Sequence, residues 1–331
     1  IYFNNGGDKD KILTVEAWGE ITWLSMESAF FGCTNLVLNA SDVPDLSAVS
    51  SMAIMFHSTS SMNQDISNWD VSNVTDMRFM FTNTQAFNQP LDSWNVSNVT
   101  NMQSMFSFAE VFNQPLNTWD VGNVTNMAGM FETAIAFNQA LDNWNVSSVN
   151  TMQRMFNAAS SFNQDLSSWD TSNVTDMSSM FRFANTYDQN LGIWDIGSVT
   201  TMVGMLEGIT ISTANYDATL TGWATLDAGE TQIPSNITFG GGNSLYCFSE
   251  FDRQALIDTF GWTITDAGRD VNCTFDNQAP QIVCPVDIAA ESPDGQPLLV
   301  ILTDPTGTDN ETAPENLVFE GTRSDGLPLT D

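Results

Sequence analysis

Apolar residues along this chain return in a fixed frame. From Leu91 the frame reads Leu91, Trp94 and Val96, then Val99, Met102, Met105 and Phe106, and closes on Phe112, with polar residues between. Moved by 25 residues it recurs: Trp69, Trp94, Trp119, Trp144, Trp169 and Trp194 form one series, and Met77, Met102, Met127, Met152, Met177 and Met202 another. Self-similarity at this period indicates coils that stack and bury a continuous core between neighbours. The alternation of Trp94 and Val96 predicts a strand with both side chains on one face. The spacing i, i+3, i+6, i+7 of Val99, Met102, Met105 and Phe106 predicts one face of a short helix.

The expected fold class is therefore an α/β repeat. It is a leucine-rich-repeat-like solenoid whose units of about 25 residues each hold a strand plus a short helix, because Leu91, Trp94 and Val96 keep the spacing of that repeat's strand. Residues 1–25 predict an N-terminal cap, 26–206 the solenoid, 207–275 a C-terminal cap and 276–331 the first part of a β-sandwich. In the C-terminal cap, helices are expected near 215–224 and from Ser249 as a cap, the latter carrying Phe251, Ala255, Leu256 and Phe260 and stopping at Gly261. Strands are expected at 237–239 and 261–265. Cys247 and Cys273 flank this cap and predict either a disulfide or two buried free thiols. Cys33 occupies a small apolar slot and reads as a buried thiol.

Polar columns repeat as strictly as the apolar ones. Asn63, Asn88, Asn113, Asn138 and Asn163, each followed by Gln, predict amides that pair along the stack or satisfy their own turn. Thr75, Thr100, Thr125, Thr175 and Thr200 precede the expected helices and predict N-caps, with Asn150 in the same slot. The residue between Trp and Val faces outward and reads Asp70, Asn95, Asp120, Asn145, Asp170 and Asp195. This row is the candidate binding surface. Its bland alternative is a solvated face whose Asn residues dilute repulsion between like charges.

Charge narrows the partners. Eight Lys and Arg stand against 40 Asp and Glu, a formal net charge of −32, with lysine only at Lys9 and Lys11. Such a chain repels nucleic acid and anionic lipid and suits cations or a basic partner. No apolar run approaches the roughly 20 residues of a membrane span. Ile1 in place of a starting Met, and the ending Gly326 to Asp331, suggest a piece of a longer protein.

Enzyme chemistry finds little to work with. The one histidine, His57, sits where other units carry Thr82, Ser107 or Glu132. The G-x-S-x-G, H-E-x-x-H and Gly-rich phosphate-loop patterns do not occur. No cofactor is expected; calcium is the nearest candidate, through Asp304, Asp309 and Glu311, without a D-x-D-x-D-G loop.

The segments FNQPLDSWNVSNVTNMQSMF and FNQALDNWNVSSVNTMQRMF, with AFFGCTNL before them and ANYDATLTGWATL and GWTITDAG after, resemble BspA-type leucine-rich-repeat surface proteins of bacteria over about residues 12–275. Residues 276–331 resemble the start of a hyalin repeat, an immunoglobulin-like module that would leave Cys284 without its second cysteine. The resemblance implies a non-enzymatic, secreted or cell-surface protein used in adhesion to an extracellular protein or glycan. A spacer that presents other modules is the remaining reading.

Overall fold

The computed structural model describes residues 2–227 and 229–273, together with the backbone of two short strands further on. The chain divides into two compact units, Ile1–Val271 and Asn272–Asp331. In the second unit β5 (Gln281–Val283) pairs antiparallel with β6 (Thr306–Thr308), Val283 opposite Thr306. The rest of the expected β-sandwich, with Cys284, Asp304, Asp309 and Glu311, lies outside the described residues.

The first unit is built from coils that pair in parallel, one period apart. Ser51, Asp76, Asn101, Asn126, Thr151, Asp176 and Thr201 form an unbroken column of parallel bridges. From that column onward, alternate N–H groups reach across to the next coil. Met102 donates to the Asn126 carbonyl at 3.0 Å, Ser104 to Ala128 at 2.8 Å, Phe106 to Met130 at 2.9 Å and Phe108 to Glu132 at 2.7 Å. Neighbouring coils thus satisfy each other's backbone, as buried polar groups require.

Neither the strand nor the helix expected inside each unit forms. Leu91–Val96 is a turn closed by Trp94 N–H on the Leu91 carbonyl at 3.0 Å, and a second turn joins Val99 to Val96 at 2.9 Å. Between Met102 and Ala109 only every other N–H bonds locally, three residues back: Met105 to Met102, Ser107 to Ser104 and Ala109 to Phe106. Left-handed residues recur four apart, at Ser104 and Phe108 (φ 51° and 56°) and at Gly129 and Thr133 (φ 63° and 57°), and they break any helix. The apolar spacing still marked the buried side, because Val99, Met102, Met105 and Phe106 are all fully enclosed. It was produced by successive tight turns rather than by helical periodicity.

Rings stack along the core. Phe81, Phe106, Phe131 and Phe156 lie 5.5 to 5.7 Å apart with planes within 7° of parallel. Trp119, Trp144, Trp169 and Trp194 follow at 6.4 to 6.5 Å. Each indole N–H finds the carbonyl of the preceding coil: Trp119 on Leu91 at 2.8 Å, Trp144 on Leu116 at 2.9 Å, Trp169 on Leu141 at 3.0 Å. A large ring is buried here with its single donor satisfied.

Both ends modify the same coil. At the start, β1 (Thr14–Val15) pairs parallel with β2 (Val37–Leu38), and Thr22 bridges Asp45. At the end the period breaks because α1 (Thr213–Ala224) is inserted before the next rung. Met202 then bridges Phe239 in β3 (Thr238–Gly240), which pairs parallel with β4 (Thr263–Thr265). Trp223 of α1 keeps the indole column's bond, on the Leu191 carbonyl at 2.9 Å. Helix α2 (Glu250–Asp258) buries Leu256 and leaves Phe251 84% exposed. Ser249 does not cap α2 with its side chain; its hydroxyl donates to Asp217 at 2.6 Å, which also accepts the N–H groups of Cys247, Phe248 and Ser249. Cys247 and Cys273 are each disulfide-bonded. Cys33 is a free, buried thiol, pushed up to about 11 by its burial.

Candidate functional site

The row Asp70, Asn95, Asp120, Asn145, Asp170 and Asp195 lines up along the stack, exposed except for the half-buried Asp195. Its chemistry is local. Each Oδ1 accepts the N–H two residues on: Ser72 at 3.0 Å, Ser97 at 3.2 Å, Gly122 at 3.1 Å, Ser147 at 3.2 Å, Ser172 at 3.1 Å and Gly197 at 2.8 Å. These are Asx turns, which Asp and Asn make equally well. The alternation of Asp with Asn along the row therefore has a folding explanation, and one oxygen of each member is committed to it.

The neighbouring columns are committed too. Asn88 Oδ1 accepts the Asn113 N–H at 2.9 Å and Gln114 Nε2 at 3.0 Å, and the same pair of bonds recurs from Asn63 to Asn163. The threonines are not helix caps. Thr100 Oγ1 and N–H both donate to the Thr75 carbonyl, at 3.2 and 2.9 Å, and Thr125 repeats this on Thr100. A further column escaped the sequence reading: Asn73, Asn98, Asn123 and Asn173 each donate Nδ2 to a carbonyl of the coil before, at 2.7 to 3.2 Å. Its signal was present as an Asn four residues after Trp in four units.

Hydrogen bonding to serine holds the carboxyls of Asp65 and Asp70 below the usual range, through Ser67 and Ser72 respectively. Ser47 and Thr22 do the same for Asp45. A carboxyl depressed in the folded state adds stability that is complete above its unfolded value near 3.9 and is lost as pH falls through the lower folded value. Thermal denaturation at a series of pH values is thus expected to show the melting temperature falling steeply below about pH 4. A flat profile from pH 5 to 2 would show that these turns contribute nothing.

The rest of the coil, from the first Met to the closing Phe, behaves differently. Each of six successive coils carries one charged residue there: Arg78, Glu110, Glu132, Arg154, Arg182 and Glu207, three of each sign. Large apolar side chains stand out among them, with Phe108 44%, Val111 45%, Ile135 42% and Phe183 42% exposed. Arg78 meets Asp76 at 3.2 Å, Arg182 meets Glu207 at 2.9 Å and lies 4.5 Å from the centre of the Phe183 ring. His57 belongs to this side, half-buried 4.6 Å from the Phe31 ring, and burial lowers its basicity. Between the closing Phe and the first Met, the same coils hold Asp65, Asp70, Asp76, Asp92, Asp120, Asp142, Asp165, Asp170, Asp176, Asp188 and Asp195 and no lysine or arginine, with Asp76 at the end of its stretch reached by Arg78.

Six coils on one template separate structural demand from freedom. Positions bonded to the next coil repeat; positions on the turn face vary in size, sign and polarity. Among the described residues no group of three His, Cys, Asp or Glu is placed to hold a metal ion. No helix there is long and apolar enough to cross a membrane.

No curated protein and no solved structure is detectably similar to the chain. A family model described as "Mycoplasma protein of unknown function, DUF285" matches residues 24–139 and again 112–223, two overlapping passes that together span the repeats. This is compatible with a bacterial surface repeat protein, and by that match over more than half its length the chain belongs to the DUF285 family.

Proposed function

We propose that the protein is a non-enzymatic, extracellular surface protein that adheres to a protein partner through the outward side of a capped solenoid of the leucine-rich-repeat kind. One observation carries the choice of face: the turn side is charge-balanced, differs from coil to coil and exposes Phe108, Val111, Ile135 and Phe183. Specific recognition needs apolar anchors with mixed charges around them. The Asx side offers regular small polar groups that already serve the fold. Glycan recognition is disfavoured because the Trp column is buried, Trp119 and Trp144 being 2% exposed, which removes the aromatic platform such binding uses.

The test is binding of the whole chain to a panel of extracellular matrix proteins and polysaccharides. Replacing Phe108 and Ile135 by Ser is expected to weaken a protein hit by about tenfold or more. Asp120→Asn with Asp170→Asn keeps the Asx turns, removes two charges and is expected to leave affinity within about twofold. The reverse pattern would return the binding site to the Asp/Asn row. A hit confined to polysaccharides would overturn the protein-partner reading.

A further inference from the structure

One register of the coil lies in the left-handed region in seven successive units: Ser58, Asn83, Phe108, Thr133, Ala158, Phe183 and Gly208, with φ between 56° and 80°. Gly and Asn suit that backbone, whereas a bulky side chain there is an outlier. Phe occupies it twice, and both rings are left in water, Phe108 44% and Phe183 42% exposed. Two separate costs, a strained backbone and an uncovered ring, fall on the same two residues. The fold makes the same turn with Asn83 and Gly208, so it does not require Phe. Strain kept without structural need points to function.

The two rings bracket a gap. Phe108, Thr133, Ala158 and Phe183 stand in successive coils at φ of 56°, 57°, 57° and 58°. Their N–H groups donate to the next coil alike, to Glu132, Asn157 and Arg182 at 2.7 Å and to Glu207 at 2.9 Å. Their side chains therefore leave the stack in one direction, large at the ends and small between. Three coil spacings of about 4.8 Å put the rings about 14 Å apart, and the half-thicknesses of the two rings leave about 11 Å. An α-helix with its side chains is about 10–12 Å wide. Ile135, 42% exposed in the same coil as Thr133, adds an apolar contact to the floor.

Bonding and charge choose the occupant. The N–H groups of this register are already spent on the next coil, so the face offers no open edge to an added strand. An arriving segment must satisfy its own backbone, as a helix does. A sugar ring would need a free aromatic face. The Phe183 ring instead carries Arg182 4.5 Å from its centre and lies against Gly208, where a Cβ would fall 2.2 Å from a ring carbon. In the coil of Ala158 stands Arg154, exposed, the one lysine or arginine among the described residues without an ion-pair partner. In a chain with 40 Asp and Glu, a cation left unpaired on this face is complementary to a carboxylate from outside. Resting on the adhesive reading of this face, we infer that the partner enters as an amphipathic helix laid across the stack between Phe108 and Phe183. Its apolar stripe covers Thr133, Ile135 and Ala158, and an Asp or Glu at its edge pairs with Arg154.

Two display libraries selected against the whole chain test this, one a rigid helical scaffold randomised on one face, the other an unstructured peptide of equal length. Enrichment is expected from the helical library, with apolar residues at i, i+3 or i+4, and i+7 and one Asp or Glu beside them. Phe108→Asn and Phe183→Asn install the residue that Asn83 shows to fit this backbone. The melting temperature should therefore hold or rise, while affinity for the selected helix falls about tenfold or more. Arg154→Gln should also weaken binding, and should have no further effect once the helix has lost its carboxylate. Binders drawn only from the unstructured library, or helices indifferent to all three changes, overturn the proposal, as does a polysaccharide hit lost with Phe108→Asn. A matrix-protein hit that depends on Phe108 and Ile135 but is not displaced by the selected helix overturns the helical partner and leaves adhesion through this face standing. A helix that binds between the two rings while no matrix protein binds at all overturns adhesion instead.

Discussion

Gly222→Ala is expected to destabilise the first unit by about 2–3 kcal/mol, the cost of overpacking a closed contact. Helix propensity alone points the other way, since Ala is favoured over Gly by about 1 kcal/mol inside a helix. The difference lies in what α1 touches. A Cβ on Gly222 would sit 2.1 Å from the Gly192 oxygen and 2.5 Å from its carbonyl carbon, and one on Gly192 would sit 2.2 Å from the Ala218 oxygen. Helix and coil meet backbone to backbone at this pair. Neither side has a flexible side chain to move, so α1 must back away. That movement pulls Trp223 from the Leu191 carbonyl and opens its contact with the Phe239 ring, 5.2 Å away. Urea unfolding followed by tryptophan fluorescence would measure the loss. An unchanged or raised midpoint would show that α1 is not seated on Gly192.

Trp144→Ala should cost about 3–5 kcal/mol, the range for truncating a large buried aromatic. The indole lies between Trp119 and Trp169 at 6.5 and 6.4 Å and touches Phe131 at 6.3 Å. Its removal also strips the Leu116 carbonyl of its donor, which a buried acceptor does not tolerate cheaply. Equilibrium denaturation of the single variant tests the figure. A cost below about 1 kcal/mol would mean that the ring column is not what holds adjacent coils together.

The repeat frame, the identity of the buried side chains and the pairing role of the Asn–Gln column were legible in the sequence. Each follows from composition at fixed spacing: a Met or Phe every 25 residues has one physical use, which is to meet its own kind in the next coil. Local conformation was not legible. Val99, Met102, Met105 and Phe106 carry helical spacing, yet the N–H groups of Met102 and Phe106 find acceptors across the stack, and those of Val99 and Met105 close tight turns three residues back. The contest between a local and a neighbouring acceptor is settled only once the neighbour is in place. Gly129, Gly204 and Gly208, all at positive φ, were the clue in the sequence that the backbone there turns left-handed rather than helical.

The candidate surface divides the same way. From the chain alone, Asp70, Asn95, Asp120, Asn145, Asp170 and Asp195 look like an outward row awaiting a ligand. Tertiary structure shows their oxygens closing turns, and it leaves Phe108, Val111, Ile135 and Phe183 exposed in the stretch of the coils that carries Arg78, Arg154 and Arg182, with Arg182 over the Phe183 ring. The sequence by itself determined the period, the core and the net acidity of this protein, because those depend on which residues recur. Only the tertiary structure decided which face is spoken for and which is free, because those depend on where each backbone and side-chain donor finds its acceptor.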